Sequence, residues 1–386
     1  MKTILLAAAL FAPLPAAAQI AVSANDGKQL RPGEAPASRT PDSVSVIDIG
    51  QNPPRVLGTV RTSTSMIGPP TSVAVARSGQ FALVTAAQEL EGDHIVKAST
   101  LSVIDLARPS APRVIQTLQA SSGASGVAIN PAGTLALVAG TGDDAISVYT
   151  IANKRLTPAG KVRLDYQSRP TDVAFGPDGK SAFVVTQSGG MIVRLAVAGN
   201  KVTRTATSVA PGMSPYGVTV SRDGRYAFNT NLGGALKPEG NPRRAPGGSA
   251  LGTVSVLDLQ SGQLVNSVEV GMIPEHVALS PDGKYLAVVV ANGSAADPAS
   301  ADYHPYGLLK VFRVDGARLT PAGEAHSGAW CQGAAWSKDN RSLLLQCALT
   351  KEIETYRYDG SNLTRDMSAT LKFDARPGAI STSLDR

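Results

Sequence analysis

The chain has 386 residues, of which 43% are hydrophobic and 17% charged, with 38 glycines, 26 prolines and a formal net charge of +6. That apolar content excludes a disordered chain, and a single apolar run, at the N-terminus, excludes a polytopic membrane protein. The positive charge is scattered, with no block of five like charges, so it reads as solubility rather than as a nucleic-acid stripe, and nucleic acid is not an expected partner.

Residues 1–18, MKTILLAAALFAPLPAAA, carry Lys2, an apolar run over residues 4–11 and small residues at 16–18. This is the pattern of a secretory signal peptide. No cysteine follows the run, so a lipoprotein is not expected. The expected product is periplasmic or secreted: a monomer of one domain, residues 19–386, with no integral membrane segment after cleavage.

Behind Gln19 come three strand-like segments, IAVSAND, SVSVIDI and RVLGTVR. A phrase then recurs: a small residue or Pro, two further residues, Val-Ala or its equivalent, a turn and an apolar strand. It reads PTSVAVARSGQFALVTA from Pro70, ASGVAINPAGTLALVAG from Ala124 and PTDVAFGPDGKSAFVVT from Pro170. It continues as PYGVTVSRDGRYAFNTN from Pro215, PEHVALSPDGKYLAVVVAN from Pro274 and, more loosely, CQGAAWSKDNRSLLLQCA from Cys331, with a last fragment PGAISTSL from Pro377. Each copy predicts a β-hairpin, because Pro-Asp-Gly at its centre suits a tight turn. A third strand follows (TLSVIDL, AISVYTI, MIVRLAV, TVSVLDL, LLKVFRV, EIETYRY), and in most copies a fourth (RVIQTLQ, LTPAGKV, KVTRTAT, LVNSVEV).

Four strands per unit of about 45 residues predict an all-β propeller. The equivalent positions Val73, Val127, Val173, Val218, Val277, Ala334 and Ile380 count seven blades. The seventh copy ends after one strand, so the three N-terminal strands are expected to complete that blade, three plus one. Such closure leaves no sheet edge open to aggregation.

The pattern PDGKxAxVxxxxxxxVxVxDL resembles the YVTN-type, lactonase-like seven-bladed propellers over nearly the whole mature chain. The resemblance implies the architecture and little chemistry, since that wider group includes lactone hydrolases, quinoprotein dehydrogenase subunits, surface-layer proteins and periplasmic binding proteins. Three functions stay open. The first is an exported binding or interaction protein that takes a small molecule or a partner protein at the mouth of the central channel. The second is a lactonase-like hydrolase with Glu, His and Arg groups there. The third is an accessory subunit of a periplasmic redox enzyme, which would need its partner's cofactor because CxxCH is absent.

Extra length falls between the second and third strands of four blades, in presumptive loops 26–42, 88–98, 232–251 and 292–307. These crowd the rim at which the first strands enter, and that rim is the expected working face. The entry points bring Arg169, Tyr216, Glu275, His276, Trp330 and Arg376 to it; the insertions add His94, Arg243, Arg244, Tyr303, His304 and Tyr306. Glu275 or His276 is the candidate general base, with Arg169 as a fork for an anionic substrate. Arg376, Tyr216, Trp330, His94, Tyr303, His304 and Tyr306 are candidate ligand contacts. His beside carboxylates suits a divalent ion, yet HxH, HExxH and CxxC are all absent, so no metal site and no cofactor are assigned. G-x-S-x-G is absent too.

The two cysteines, Cys331 and Cys347, stand near the ends of one hairpin. In an oxidising compartment they are expected to form a disulfide. With 338–341 as the turn, Ala348 falls opposite Cys331, one residue from Cys347.

Overall fold

The computed structural model describes residues 19–31, 33–234 and 251–384. The leader segment, Arg243 and Arg244 lie outside the described residues. Every expected hairpin forms, and the strands assemble into seven antiparallel sheets. Blade three is typical, with Pro170–Phe175, Ser181–Thr186, Met191–Ala198 and Lys201–Val209 in order from the axis outward. Blade seven joins the two ends of the chain. Arg376–Thr382 is its innermost strand, followed by Ile20–Asp26, Ser43–Asp48 and Arg55–Arg61. The closure is a hydrogen-bonded ladder in which Ser23 pairs with Ile380 and Ala24 with Ala379.

The core is divided among the gaps between blades. One apolar cluster joins blades one and two around Leu83, Leu101 and Val138; another joins blades seven and one around Val22, Val46 and Val84. Inner strands are therefore covered on both faces and read as continuous apolar runs, such as Leu135–Gly140, whereas the outermost strands alternate and stay half in water. Each fully buried Val, Leu or Ile contributes roughly 1.5–3 kcal/mol relative to its exposed state.

The start of each inner strand is irregular in a repeated way. Gly123, Arg169, Ser214, Ile273 and Trp330, the residues just before the first strands of blades two to six, have φ between +48° and +66°. Their carbonyls accept hydrogen bonds from the amides of Thr141, Gln187, Leu232, Ala291 and Ala348, just beyond the second strands. Only packing of the surrounding ring holds a β-branched residue such as Ile273 in this region. One or two residues later the ladder slips in all five blades, for example between Pro170 and Asp172 and between Pro274 and His276.

Two expectations are corrected, at 88–98 and at Cys331, and blade six departs from the common pattern. Residues 88–98 are not a loop: Phe81–Glu91 and His94–Asp105 run on past a bulge at Ala87 as a two-stranded ribbon, pairing Gln88 with Lys97 and Glu91 with His94. The β-branched Ile95 and Val96 favour that extension. In blade six the fourth strand, Leu363–Arg365, has only three residues, and a further strand, Leu371–Lys372, pairs the other end of the third. Cys331 stands opposite Cys347 rather than Ala348, because the slip between Cys331 and Ala334 absorbs one residue. The insertion 26–42 is pinned by buried Lys28, which pairs with Asp26 at 3.1 Å and Asp42 at 2.8 Å. Among the described residues no helix is long and apolar enough to cross a membrane.

A disulfide joins Cys331 and Cys347, 16 residues apart. Replacing both by Ser should lower unfolding stability by about 3 kcal/mol in the chain-entropy account, read from a denaturant midpoint. An unchanged midpoint would mean that the ladder alone holds this hairpin.

Candidate functional site

A bulge leaves one residue without a partner across the ladder and re-aims its side chain. In blades two to six the residue so placed is Ser125, Thr171, Tyr216, Glu275 or Gln332, each one position into its first strand. These positions ring the upper mouth of the channel.

Glu275 is the outlier among them, a carboxyl group only 5% exposed. Burial pushes its pKa up to about 8, while a hydrogen bond from the Trp330 side chain of the next blade pulls the other way. Tyr216, from the preceding blade, has its phenol pushed well above the ordinary value by burial and then by the neighbouring Glu275 charge, with Arg169 acting in the opposite sense. Arg169 itself is exposed, and its backbone N–H donates to Asp144 Oδ1 at 2.9 Å. The mouth thus holds a buried acid, a phenol and an accessible guanidinium supplied by three consecutive blades, with an indole from a fourth.

The neighbours of this group are fixed. Thr171 Oγ1 donates to the Tyr216 carbonyl at 3.1 Å. Asp172, fully buried, accepts from the Val218 amide at 2.9 Å and so ties blade three to blade four. The Trp330 amide donates to Ser294 Oγ at 2.8 Å, anchoring the insertion 292–307. With its amide turned to donate to the Gly378 carbonyl (2.9 Å), Gln332 accepts from Trp330 Nε1 at 3.3 Å.

The other expected residues are placed elsewhere. His276 follows Glu275 on the strand and turns toward blade six, where its Nδ1 accepts from the Ala334 amide at 3.1 Å. That bond occupies the basic nitrogen and leaves Glu275 as the candidate base. Arg376 is 2% exposed and holds Glu34 of the 26–42 insertion at 2.5 Å, along with the carbonyls of Gln29 and Ala348. This pairing lowers the Glu34 pKa. Tyr306 stacks on His326 of the outermost strand of blade five, with ring centroids 3.8 Å apart, and His304 lies 6.4 Å from Tyr306; Tyr303 belongs to the same insertion. His94 is exposed near the tip of the blade-one ribbon, beside Asp93, which lies 3.5 Å from Arg39.

Sequence reasoning missed the connection 64–70 between blades seven and one. The Met66 amide donates to Asp26 Oδ2 at 3.1 Å. A Cβ on Gly378 would lie 2.7 Å from Met66, and one on Gly68 would lie 2.5 Å from Ser125 Oγ. The segment therefore passes over the inner strands from blade seven to blade two and shields the mouth. Below it the channel closes to a cavity of about 20 Å3 lined by Thr71, Thr219, His276 and Ser381, room for about one water molecule. A ligand of Glu275 must sit at the mouth rather than in the channel. A wide cleft lies on the opposite face and touches none of these groups.

Cys331, Cys347 and Glu354 are close enough to one another to hold an ion. Their donors are spent, however: the sulfurs bond to each other, and Glu354 accepts from Tyr356 Oη at 2.7 Å and Arg365 at 2.8 Å.

The model of the lactonase, seven-bladed beta-propeller family matches residues 42–304, well over half of the chain. The chain belongs to that family. Among solved structures it is similar to a candidate 6-phosphogluconolactonase from Bacteroides fragilis, at 16% identity over 96% of this chain and 99% of that one, with a TM-score of 0.70. It is also similar to a periplasmic gluconolactonase from Pseudomonas aeruginosa, at 19% identity over 81% and 83%, with a TM-score of 0.57. Identities this low establish the fold alone. Antigen Lp49 of Leptospira interrogans is 27% identical over 180 residues, 38% of this chain and 39% of that protein. The chain thus spans about two fifths of the curated relatives it matches.

Glu275 makes stability depend on pH. In the folded chain its proton is held to about pH 8, whereas in the unfolded chain it leaves near 4.5. The folded state binds more protons between those values, so this contribution to stability falls as pH rises through that window. Glu275→Gln removes the loss. The variant's melting temperature should gain on the wild type as pH is raised from about 5 to about 8.5; parallel curves would contradict a buried, proton-holding carboxyl.

Proposed function

We propose that this protein is an exported lactone hydrolase that works at the upper channel mouth. The observation that carries the reading is the bulged, buried Glu275 with its carboxyl pushed up to about 8, beside Tyr216 and Arg169. Membership of the lactonase propeller family and the gluconolactonase neighbours support it. Export is supported by the composition of residues 1–18, by the disulfide, and by the periplasmic location in the description of the Pseudomonas neighbour.

A desolvated carboxylate is a far stronger base than an ordinary Glu, and its pKa lies close to working pH, where general-base catalysis is most effective. Ionised Glu275 takes a proton from water, whose oxygen attacks the lactone carbonyl. The Tyr216 hydroxyl, whose raised pKa keeps it protonated, donates to the oxyanion that develops. When the ring C–O bond breaks, the proton on Glu275 passes to the leaving alkoxide. The product is the open hydroxy acid, and the carboxylate is regenerated. Arg169 offers its planar fork to an anionic substituent of the substrate.

A binding role at the same mouth is the second reading. It is favoured by the 64–70 crossing, which restricts access to Glu275.

Hydrolysis of sugar lactones, measured above the spontaneous rate, separates the two. The hydrolase should show kcat/KM rising with pH through a midpoint near 8 and levelling off above it, and Glu275→Gln should lose about 10²–10⁴-fold in kcat. Arg169→Ala should act mainly on KM for anionic lactones. Lactone binding without turnover by the wild type would select the binding role, and full activity in Glu275→Gln would remove Glu275 as the base.

A further inference from the structure

A cleft of about 1270 Å3 opens on the lower face, where the turns between first and second strands lie. It runs beneath blade six, between the turns 337–342 and 357–360 and the segment 49–52 of blade seven. The fourth strand of blade six spans three residues where that of blade five, Arg318–Ser327, spans ten, so this corner of the ring is left unfilled.

The cleft has a definite chemistry. Lys338 and Arg341 lie exposed on its wall, and among the described residues neither side chain has an ion pair or a side-chain hydrogen bond. The acidic residues of the wall are satisfied within their own turns. Asp339 accepts from Ser337 Oγ at 2.6 Å and the Arg341 amide at 3.0 Å, and Asp359 accepts from the Ser361 and Asn362 amides at 2.9 and 2.8 Å. Both carboxyls are held below the usual range, Asp359 chiefly by Asn362. The wall also carries Gln51, Asn52, Asn362 and Thr364, the rings of Tyr285 and Tyr358, and Arg357, which is already held by Asn52, Ser342 and Asp366.

We infer that this cleft is a second binding site, for an acidic oligosaccharide. Its volume exceeds the roughly 300–1,000 Å3 of a pocket for one small molecule. Lys338, together with Arg341, whose charge also acts on Asp339 but forms no ion pair, suits carboxylates spaced along a chain, and the amides suit the hydroxyls between them. A nucleic acid fits less well, since its closely spaced phosphates call for a continuous basic groove with stacking aromatics, and here they would meet Asp339 and Asp359. The inference does not depend on hydrolysis at the upper mouth.

Calorimetric titration of the purified protein with hexagalacturonate, and with neutral maltohexaose as the comparator, tests it. The acidic hexamer should bind and the neutral one at least tenfold more weakly. Lys338→Ala with Arg341→Ala should weaken the acidic hexamer at least tenfold, with an unchanged melting curve showing that the fold is intact. Glu275→Gln should leave this binding as it is. Absence of binding, equal affinity for the two hexamers, equal affinity in the double variant, or tighter binding of an oligothymidylate at the same residues would overturn the inference.

Discussion

The feature on which the site depends is the slip in the ladder at the start of the inner strands of blades two to six. A regular ladder would give every residue at the channel mouth a partner across the sheet. The left-handed residue and the bulge behind it break that regularity in blades two to six, at one level of the ring. Seven-fold packing then brings the released side chains together. Most are small or neutral, such as Ser125 and Thr171, and the ring accepts them at little cost. Glu275 is the one carboxyl group at that position, and its burial is what makes it chemically distinct.

The following position in the repeat has a different task. Gly126 and Gly333 occupy it where a neighbouring blade comes close: a Cβ on Gly126 would lie 2.6 Å from Asp172 Oδ1, and one on Gly333 3.0 Å from Ile380. Where the position carries a polar side chain, that side chain bonds across the blade gap, as Asp172 does to the Val218 amide and His276 to the Ala334 amide. Two adjacent residues, Glu275 and His276, thus divide between exposing chemistry to the mouth and holding the ring together. The disulfide and the Arg376–Glu34 pair brace the same rim from blades six and seven.

The architecture was legible because it is written seven times. The hairpin phrase, its Asp-Gly turns and the count of Val-equivalent positions required only local rules, and the single orphan strand at Pro377 required the N-terminal partners that it has. The placement of the candidate residues was legible in part, for the same reason: Arg169 and Trp330 stand just before their inner strands and Tyr216 and Glu275 one residue into theirs, so the repeat sets all four on one rim. The turn of His276 toward blade six and the one-residue error at Cys331 come from the bulge, which shifts register without any mark in composition. The ribbon at 88–98 was hidden because insertion length does not distinguish a loop from two strands that outlast their sheet. The 64–70 crossing belongs to no repeat, so no periodicity announced it.

A buried carboxyl that keeps its proton near neutral pH is a destabilising choice, and chains retain such groups chiefly where they act. The most direct measurement is an NMR titration of the Glu275 side-chain carboxyl in selectively 13C-labelled protein, assigned by its loss in Glu275→Gln. An apparent pKa close to 8, well apart from the remaining glutamates, is the expected result. A midpoint near 4.5 would mean that water reaches the carboxyl freely, and the assignment of Glu275 as a base tuned by burial would then be wrong.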